Sequence, residues 1–325
     1  MNNNNSEKTS LMAEPYNSDR NAIDRLRINQ KALQAGSVKR EENYIADESG
    51  NSEGFRMAFY TANKSGVQYA IPVEAEPGKM VINETFSKVQ HLLIASWYSQ
   101  ADRASNFRIQ LTFKEVSEAL GYSRSQATAL RKQLRTLTVT LATTTFITSN
   151  KDSVHVINLF TEADYSKGML TFFLNPKMAE TFLSEESSTE YFPLSLLKLK
   201  GTAYYLALKI MHNANINARW RADRVDRLGL EDTLKALPTL PDPVELSKGN
   251  SRSLHQKILT PLAKAIEELE AVTGIIVKPS QPLKGLKTKD LSKVTLNIVD
   301  WGQVDIAELT RKKRKRLRKN NVRED

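Results

Sequence analysis

The chain is 325 residues long, enough for about two domains with sizeable cores, and its 47 Lys and Arg against 37 Asp and Glu give a net charge of +10. It contains no cysteine, which excludes disulfides and thiolate metal sites, and no apolar run approaches the roughly 18 residues that span a bilayer. With no signal-peptide layout in the opening MNNNNSEKTS, these features predict a cytoplasmic protein whose first candidate partner is a polyanion.

Residues 1–54 are polar, hold neither Phe nor Trp, and open with an asparagine run; they predict disorder, with a short helix between Asp19 and Ala35. Residues 55–60 and 67–73 read as strands around a Lys64, Ser65, Gly66 turn. Residues 86–98 (FSKVQHLLIASWY) then place Val89, Leu92, Leu93, Ser96 and Trp97 on a helical core face.

Residues 111–137 (LTFKEVSEALGYSRSQATALRKQLRTL) read as two short helices joined by a glycine turn. Thr112 and Glu115 have the spacing of a capping box. Val116, Ala119 and Leu120 form an apolar face. Gly121 supplies the turn, and Ser123 restarts a helix whose Ala127, Leu130, Leu134 and Leu137 share one stripe. Its other face carries Arg124, Ser125, Gln126, Thr128, Arg131, Lys132 and Arg135, the hydrogen-bonding and cationic set that suits a major groove. A merely solvated helix pair has the same outline. Residues 138–147 (TVTLATTTFI), 154–160 and 169–174 are rich in β-branched and aromatic residues and read as strands. Helix, turn, helix and small sheet is the order of a winged helix.

A second unit starts near Phe192. Residues 199–212 (LKGTAYYLALKIMH) predict a strongly apolar helix with Thr202 as its cap and Tyr205, Leu208 and Met211 inward, while Tyr204 and Tyr205 belong to the core. Residues 228–237 predict a short helix, and Pro238, Pro241 and Pro243 a loop. Residues 252–269 (RSLHQKILTPLAKAIEEL) predict the next helix, with Leu254, Ile258, Leu262, Ala265, Ile266 and Leu269 toward the core and Arg252, His255, Gln256 and Lys257 outward near its start. Pro261 kinks this helix or begins a new one. His255 fits either a DNA contact or a partly buried structural role, and Trp220 between Arg219 and Arg221 fits an aromatic plug better than a backbone clamp. Residues 274–278 and 294–299 predict two strands bridged by a loop with Lys284, Lys287, Lys289 and Lys293. The last 25 residues carry nine Lys or Arg and four Asp or Glu, a net +5, mostly in the run that includes Arg311, Lys312, Lys313 and Arg314. A solvated tail making non-specific phosphate contacts accounts for it.

The predicted fold is therefore α+β: two tandem winged helices, the first over 55–191 and the second over 192–300, between a disordered N-terminal segment (1–54) and a basic C-terminal tail (301–325). In order and spacing, residues 86–300 resemble the iteron-binding plasmid replication initiators, the Rep proteins of two winged helices. The resemblance rests on LTFKEVSEALGYSRSQATALRKQL, GMLTFFLNPKMAETFL, YFPLSLLKLKGTAYYLALKIMHN, NSRSLHQKILTPLAKAIEELEAV and GIIVKPSQPLKGLKTKDLSKVTLNIV taken in sequence. It implies binding to repeated double-stranded sites at a plasmid or phage origin, opening of the duplex, and recruitment of host initiator and helicase machinery. It also implies a homodimer in equilibrium with monomer, the dimer repressing its own promoter. By the same resemblance the C-terminal winged helix would make the main base contacts, with Arg252, Ser253, His255, Gln256 and Lys257 in one major groove, and the N-terminal one would serve dimerisation and DNA contact, with Arg124, Gln126, Thr128 and Arg131 in a neighbouring groove.

Catalytic signatures are missing. A rolling-circle nickase needs two histidines one residue apart, whereas His91, His155, His212 and His255 are scattered. A phosphate loop fails at Val73 and at Met80 after Lys79. Glu267 with Glu268, and Glu185 with Glu186, read as solvated surface. No enzyme activity, cofactor or metal is expected. Two other readings stay open: a winged-helix transcriptional regulator of an extrachromosomal element, and a non-catalytic structural nucleic-acid-binding protein.

Overall fold

The computed structural model describes residues 25–29, 39–40, 56–61, 67–73, 84–143, 145–149, 154–184, 189–220, 224–243, 246, 251–302 and 304. In chain order come strands β1 (Arg25–Asn29), β2 (Lys39–Arg40), β3 (Arg56–Thr61) and β4 (Val67–Val73), then helix α1 (Glu84–Ser99). Next are β5 (Arg108–Thr112), α2 (Phe113–Ala119), a 3-10 turn (Arg124–Gln126) and α3 (Ala127–Thr143). These lead into β6 (Thr145–Ser149), β7 (Val154–Asn158), β8 (Phe160–Ser166), β9 (Met169–Leu174), α4 (Pro176–Ser184), β10 (Thr189–Pro193) and a 3-10 turn (Leu194–Lys198). Then follow α5 (Gly201–Trp220), β11 (Arg227–Gly229) and α6 (Leu230–Ala236). Last come α7 (Ser251–Leu254), a π-helical stretch (His255–Leu259), α8 (Thr260–Thr273), β12 (Ile275–Pro279), a 3-10 turn (Thr288–Lys293) and β13 (Thr295–Trp301).

Two three-stranded antiparallel sheets have the same connectivity. In the first, β5 precedes the helix pair α2–α3 and lies beside β9, with β8 outside it; in the second, β11 precedes the helices and lies beside β13, with β12 outside. In both, the strand that enters the helix pair is clamped by the last strand of the unit. A separate five-stranded sheet, β2-β3-β4-β6-β7, contains the hairpin between α3 and β8. The expected hairpin of 55–60 with 67–73 is present as β3 and β4, and its turn at Lys64, Ser65 and Gly66 lies outside the described residues.

Helix α1 is more central than an amphipathic reading predicts. From Thr85 to Tyr98 every residue is buried, including Ser87, Lys88, Gln90 and His91 opposite the expected core face. A helix buried on all sides needs its polar groups answered by neighbours; α5 and the residues leading into it answer Lys88 and His91, while the Gln90 amide has no hydrogen-bond partner among the described residues. Lys88 donates to the Leu199 carbonyl and lies 3.4 Å from Glu84 Oε1, while Glu84 Oε2 accepts the Gly201 N–H. His91 Nδ1 and Tyr204 Oη share a 2.7 Å hydrogen bond. Glu268 of α8 accepts the Lys200 N–H at 2.8 Å. Burial lowers the Lys88 pKa against the opposing pull of Glu84, and burial raises Tyr204 well above the usual phenol value and Tyr205 to about 12.

Several expectations are corrected. Residues 138–143 belong to α3 and are not a strand: Leu137 and Leu141 continue the buried stripe of Leu130 and Leu134. The hydroxyls of Thr138 and Thr140 donate back to the Leu134 and Thr136 carbonyls at 2.8 and 3.0 Å. The β-branched penalty, below about 0.7 kcal/mol per residue, loses to burying a leucine at roughly 2 kcal/mol. Within 19–35, residues Arg25–Asn29 (RLRIN) form a strand paired antiparallel with Thr189–Pro193; the alternation of basic and apolar residues has the period of a strand, not a helix. The rest of that predicted helix lies outside the described residues. Residues 154–160 divide between β7 and β8, which sit in different sheets. Thr202 does not cap α5: the helix already includes Gly201, and the Thr202 hydroxyl meets that of Thr239 at 2.9 Å. Residues 228 and 229 lie in β11, so the helix predicted over 228–237 begins at Leu230.

Candidate nucleic-acid interface

The first candidate reading face is built by local rules. Thr112 Oγ1 accepts the Glu115 N–H at 3.1 Å, and Glu115 Oε2 accepts the Thr112 N–H at 2.6 Å, closing the expected capping box. Val116 and Leu120 are buried. Gly121 takes φ +71°, and a Cβ there would stand 3.2 Å from Lys198 Cγ. Leu130, Leu134 and Leu137 then seat α3 on the core. This leaves Arg124, Ser125, Gln126, Thr128, Arg131, Lys132 and Arg135 exposed, as expected. From Ser123 to Thr143 there is no acidic residue, so nothing on this helix neutralises the four cations.

Three of these side chains are already engaged, and the Ser125 hydroxyl meets that of Ser123 at 2.9 Å. Gln126 Oε1 accepts the Ser123 N–H at 3.0 Å. The Arg131 guanidinium lies 4.6 Å from the centroid of the Phe113 ring, a cation–π geometry that holds a long side chain in one orientation. Phe113 is itself tied to the hairpin turn, its N–H donating to the Gly168 carbonyl at 2.7 Å. That turn is a two-residue connection in which Lys167 and Gly168 both have positive φ, 50° and 77°, the geometry of a type I′ hairpin. The Phe113 platform is invisible to helical periodicity, although an aromatic residue directly after a helix cap is a signal for it.

In the second unit, Leu254, Ile258, Leu262, Ala265, Ile266 and Leu269 are buried as expected. Gln256 and Lys257 are exposed, and Ser253 and His255 are intermediate. The backbone of Arg252 lies in α7, and its side chain lies outside the described residues. As expected, a new α-helical segment, α8, begins at Thr260 with Pro261 in its first positions; the chain reaches it through a π-helical stretch in which Thr260 N–H donates to the His255 carbonyl, five residues back. Charge divides along this helix, with Arg252, Lys257 and Lys264 in its first part and Glu267, Glu268 and Glu270 at its end.

The loop between β12 and β13 is packed. Leu286 and Leu291 are buried while Lys284, Lys287, Lys289 and Lys293 are exposed between and beside them. Lys293 lies 3.7 Å from Asp290 in an exposed pair; such a contact contributes little. Lys278, exposed on β12, extends this basic edge and was not among the expected residues. Arg311, Lys312, Lys313 and Arg314 lie outside the described residues. Among the described residues, no group of three or more His, Asp or Glu is placed to hold a metal ion, and no helix is long and apolar enough to cross a membrane.

Residues 79–203 match the family model for the initiator replication protein, WH1. This span contains α1, the helix pair α2–α3 and the sheet β5-β9-β8. Two solved structures of RctB domains 2 and 3 align over 82% of this chain and 96% of theirs at 11% sequence identity, one with a TM-score of 0.45 and the other of 0.40. No curated protein matches the sequence.

Proposed function

We propose that this chain, whose residues 79–203 carry the WH1 domain of the initiator replication proteins, is a non-enzymatic replication initiator that grips double-stranded DNA through two tandem winged helices. The observation that carries the reading is the repeated connectivity: two three-stranded sheets in the order first, third, second strand, each enclosing a helix whose exposed start is free of acidic residues. Lys and Arg contacts to phosphates supply affinity, and a few side chains on the two helices set the sequence. Arg252, His255, Gln256 and Lys257 act in one major groove and Arg124, Thr128 and Arg131 in another. Repeated origin sites, a dimer in equilibrium with monomer, recruitment of host replication proteins and repression of the chain's own promoter extend the same reading.

The test is selection of bound duplexes from random DNA, then gel shifts of the selected and scrambled sequences with Lys257→Ala and Arg131→Ala. Loss of one base contact should cost about 1 to 3 kcal/mol and relax preference at that position. Discrimination unchanged in both variants rejects the assignment of these helices. Direct repeats of the selected sequence beside an AT-rich segment near the gene support initiation; a lone inverted repeat supports repression.

A further inference from the structure

The helix from Ser251 to Thr273 contains an offset that an unbroken α-helix would not produce. In an unbroken α-helix, each residue advances about 100°. Counting back from Leu262, the centre of the buried face, His255 would fall about 20° from that centre and Leu254 about 80° away, at its margin. The structure reverses them: Leu254 is 2% exposed, and His255 lies at the boundary with solvent. The π-helical stretch is the cause. A π-turn adds one residue to the α-helical path, so Leu254 shifts to about 20° from the centre and His255 to about 120°. Gln256 and Lys257 are exposed in the same wide turn.

Two residues account for the offset. Pro261 has no N–H to give the Lys257 carbonyl, and its ring would collide with that carbonyl in an α-helix. Thr260 N–H reaches instead to His255. Leu254 gains burial only if the extra residue is present. We infer that Leu254 and Pro261 together act as a register device that turns His255, Gln256 and Lys257 outward as the edge that reads DNA. They are positioning residues: neither touches DNA, and both set which side chains do. The inference rests on the DNA-binding reading above, and the experiment separates the two.

Because the chain has no cysteine, His255→Cys introduces a unique thiol in the full-length protein. The offset predicts a thiol that a maleimide labels readily in the free protein and at least tenfold more slowly with the selected duplex, but not with a scrambled one. A thiol unreactive in the free, folded protein, or one equally reactive with either duplex, overturns the inference. The second arm is the variant Leu254→His/His255→Leu/Pro261→Ala, which moves the apolar anchor by one position and removes the obstacle to an α-helix. With thermal unfolding showing a folded protein, it should lose at least tenfold in discrimination between selected and scrambled duplex. If Gln256→Ala and Lys257→Ala lose discrimination while this folded variant keeps it, the register device is wrong and the DNA reading stands. If those alanine variants change nothing, the reading of this helix fails and the inference falls with it. Should the triple variant not fold, the labelling arm decides.

Discussion

Removing the Glu84 carboxylate tests whether a buried cation holds α1 to α5. The Lys88 side chain is 4% exposed and that of Glu84 26%, with 3.4 Å between Nζ and Oε1. At an effective dielectric of about 20, that separation corresponds to roughly 5 kcal/mol of attraction, part of which offsets the loss of water around the ammonium. Glu84→Ala leaves Lys88 with the Leu199 carbonyl and the Tyr204 ring, 5.1 Å away, and deprives the Gly201 N–H of its acceptor. The expected loss is about 3 to 5 kcal/mol, because an uncompensated charge stays buried, while Lys88→Met, which removes the charge, should cost less than about 1.5 kcal/mol. The double variant should be more stable than the sum of the single losses by about 1 to 3 kcal/mol. Urea unfolding followed by tryptophan fluorescence reads all four proteins. The sign with pH is specific: burial already lowers the Lys88 pKa from 10.5, so between its folded value and 10.5 the unfolded chain binds more protons and stability rises with pH. Loss of Glu84 lowers that pKa further, so the defect should shrink toward alkaline pH. A defect under 1 kcal/mol, or Lys88→Met costing more than Glu84→Ala, refutes the reasoning.

Thr112→Ala removes the cap of α2 and should cost about 1 kcal/mol in thermal unfolding, with weaker DNA binding only through that loss of order. Tyr205, raised to about 12 from 10.0 by burial, contributes stability that is present below pH 10.0 and lost as pH rises to about 12; Tyr205→Phe should flatten the alkaline limb of a stability–pH curve by up to about 3 kcal/mol. Gly302→Ala should destabilise by at least about 2 kcal/mol, because Gly302 has φ +56° and a Cβ there would stand 2.5 Å from the Thr273 carbonyl. Replacing Lys284, Lys287, Lys289 and Lys293 with alanine should weaken binding to all duplexes alike and reduce the slope of log affinity against log salt by up to about 3 to 4; a change confined to one sequence would give the loop a base-reading role instead.

What was legible in the sequence was whatever short-range chemistry determines. The Thr112 and Glu115 spacing, the glycine at 121 and the leucines at 130, 134 and 137 each have one good local solution, and together they define the first helix pair. The last two strands of the second unit, β12 and β13, were legible for the same reason, whereas β11 was read as the start of a helix. Misreadings arose where distant contacts decide. Thr138 and Thr140 favour a strand in isolation, but Leu141 extends a buried stripe and the hydroxyls find carbonyls one turn back. The polar residues of α1 gave no sign of burial, since their partners sit more than 100 residues away at Leu199 and Tyr204. At the candidate interface, the exposed set on α3 was legible from its phase. The Phe113 platform under Arg131 was not, because it depends on a helix start meeting a helix interior. The outward phase of His255, Gln256 and Lys257 was legible from the apolar pattern, but the π-helical stretch that produces it was not, because there two helical registers compete and the proline decides between them.

The contact between the two units bears on how such a protein would read DNA. Helix α1 packs behind α3, and α5 packs behind α8, so whatever joins α1 to α5 fixes one candidate reading helix relative to the other. That junction contains apolar packing and directional contacts together. Lys88 on the Leu199 carbonyl, Glu84 on the Gly201 N–H and Tyr204 on His91 each tolerate only a narrow range of geometry. Apolar packing alone allows neighbouring arrangements of similar energy. Buried hydrogen bonds penalise them, because sliding leaves donors and acceptors unpaired at about 1 to 3 kcal/mol each. A protein that engages two stretches of one duplex needs its readers at a set offset, since the groove returns to the same face only every 34 to 36 Å. The polar junction is suited to hold that offset, and the Glu84 and Lys88 variants therefore bear on the spacing tolerance of the DNA site as well as on stability.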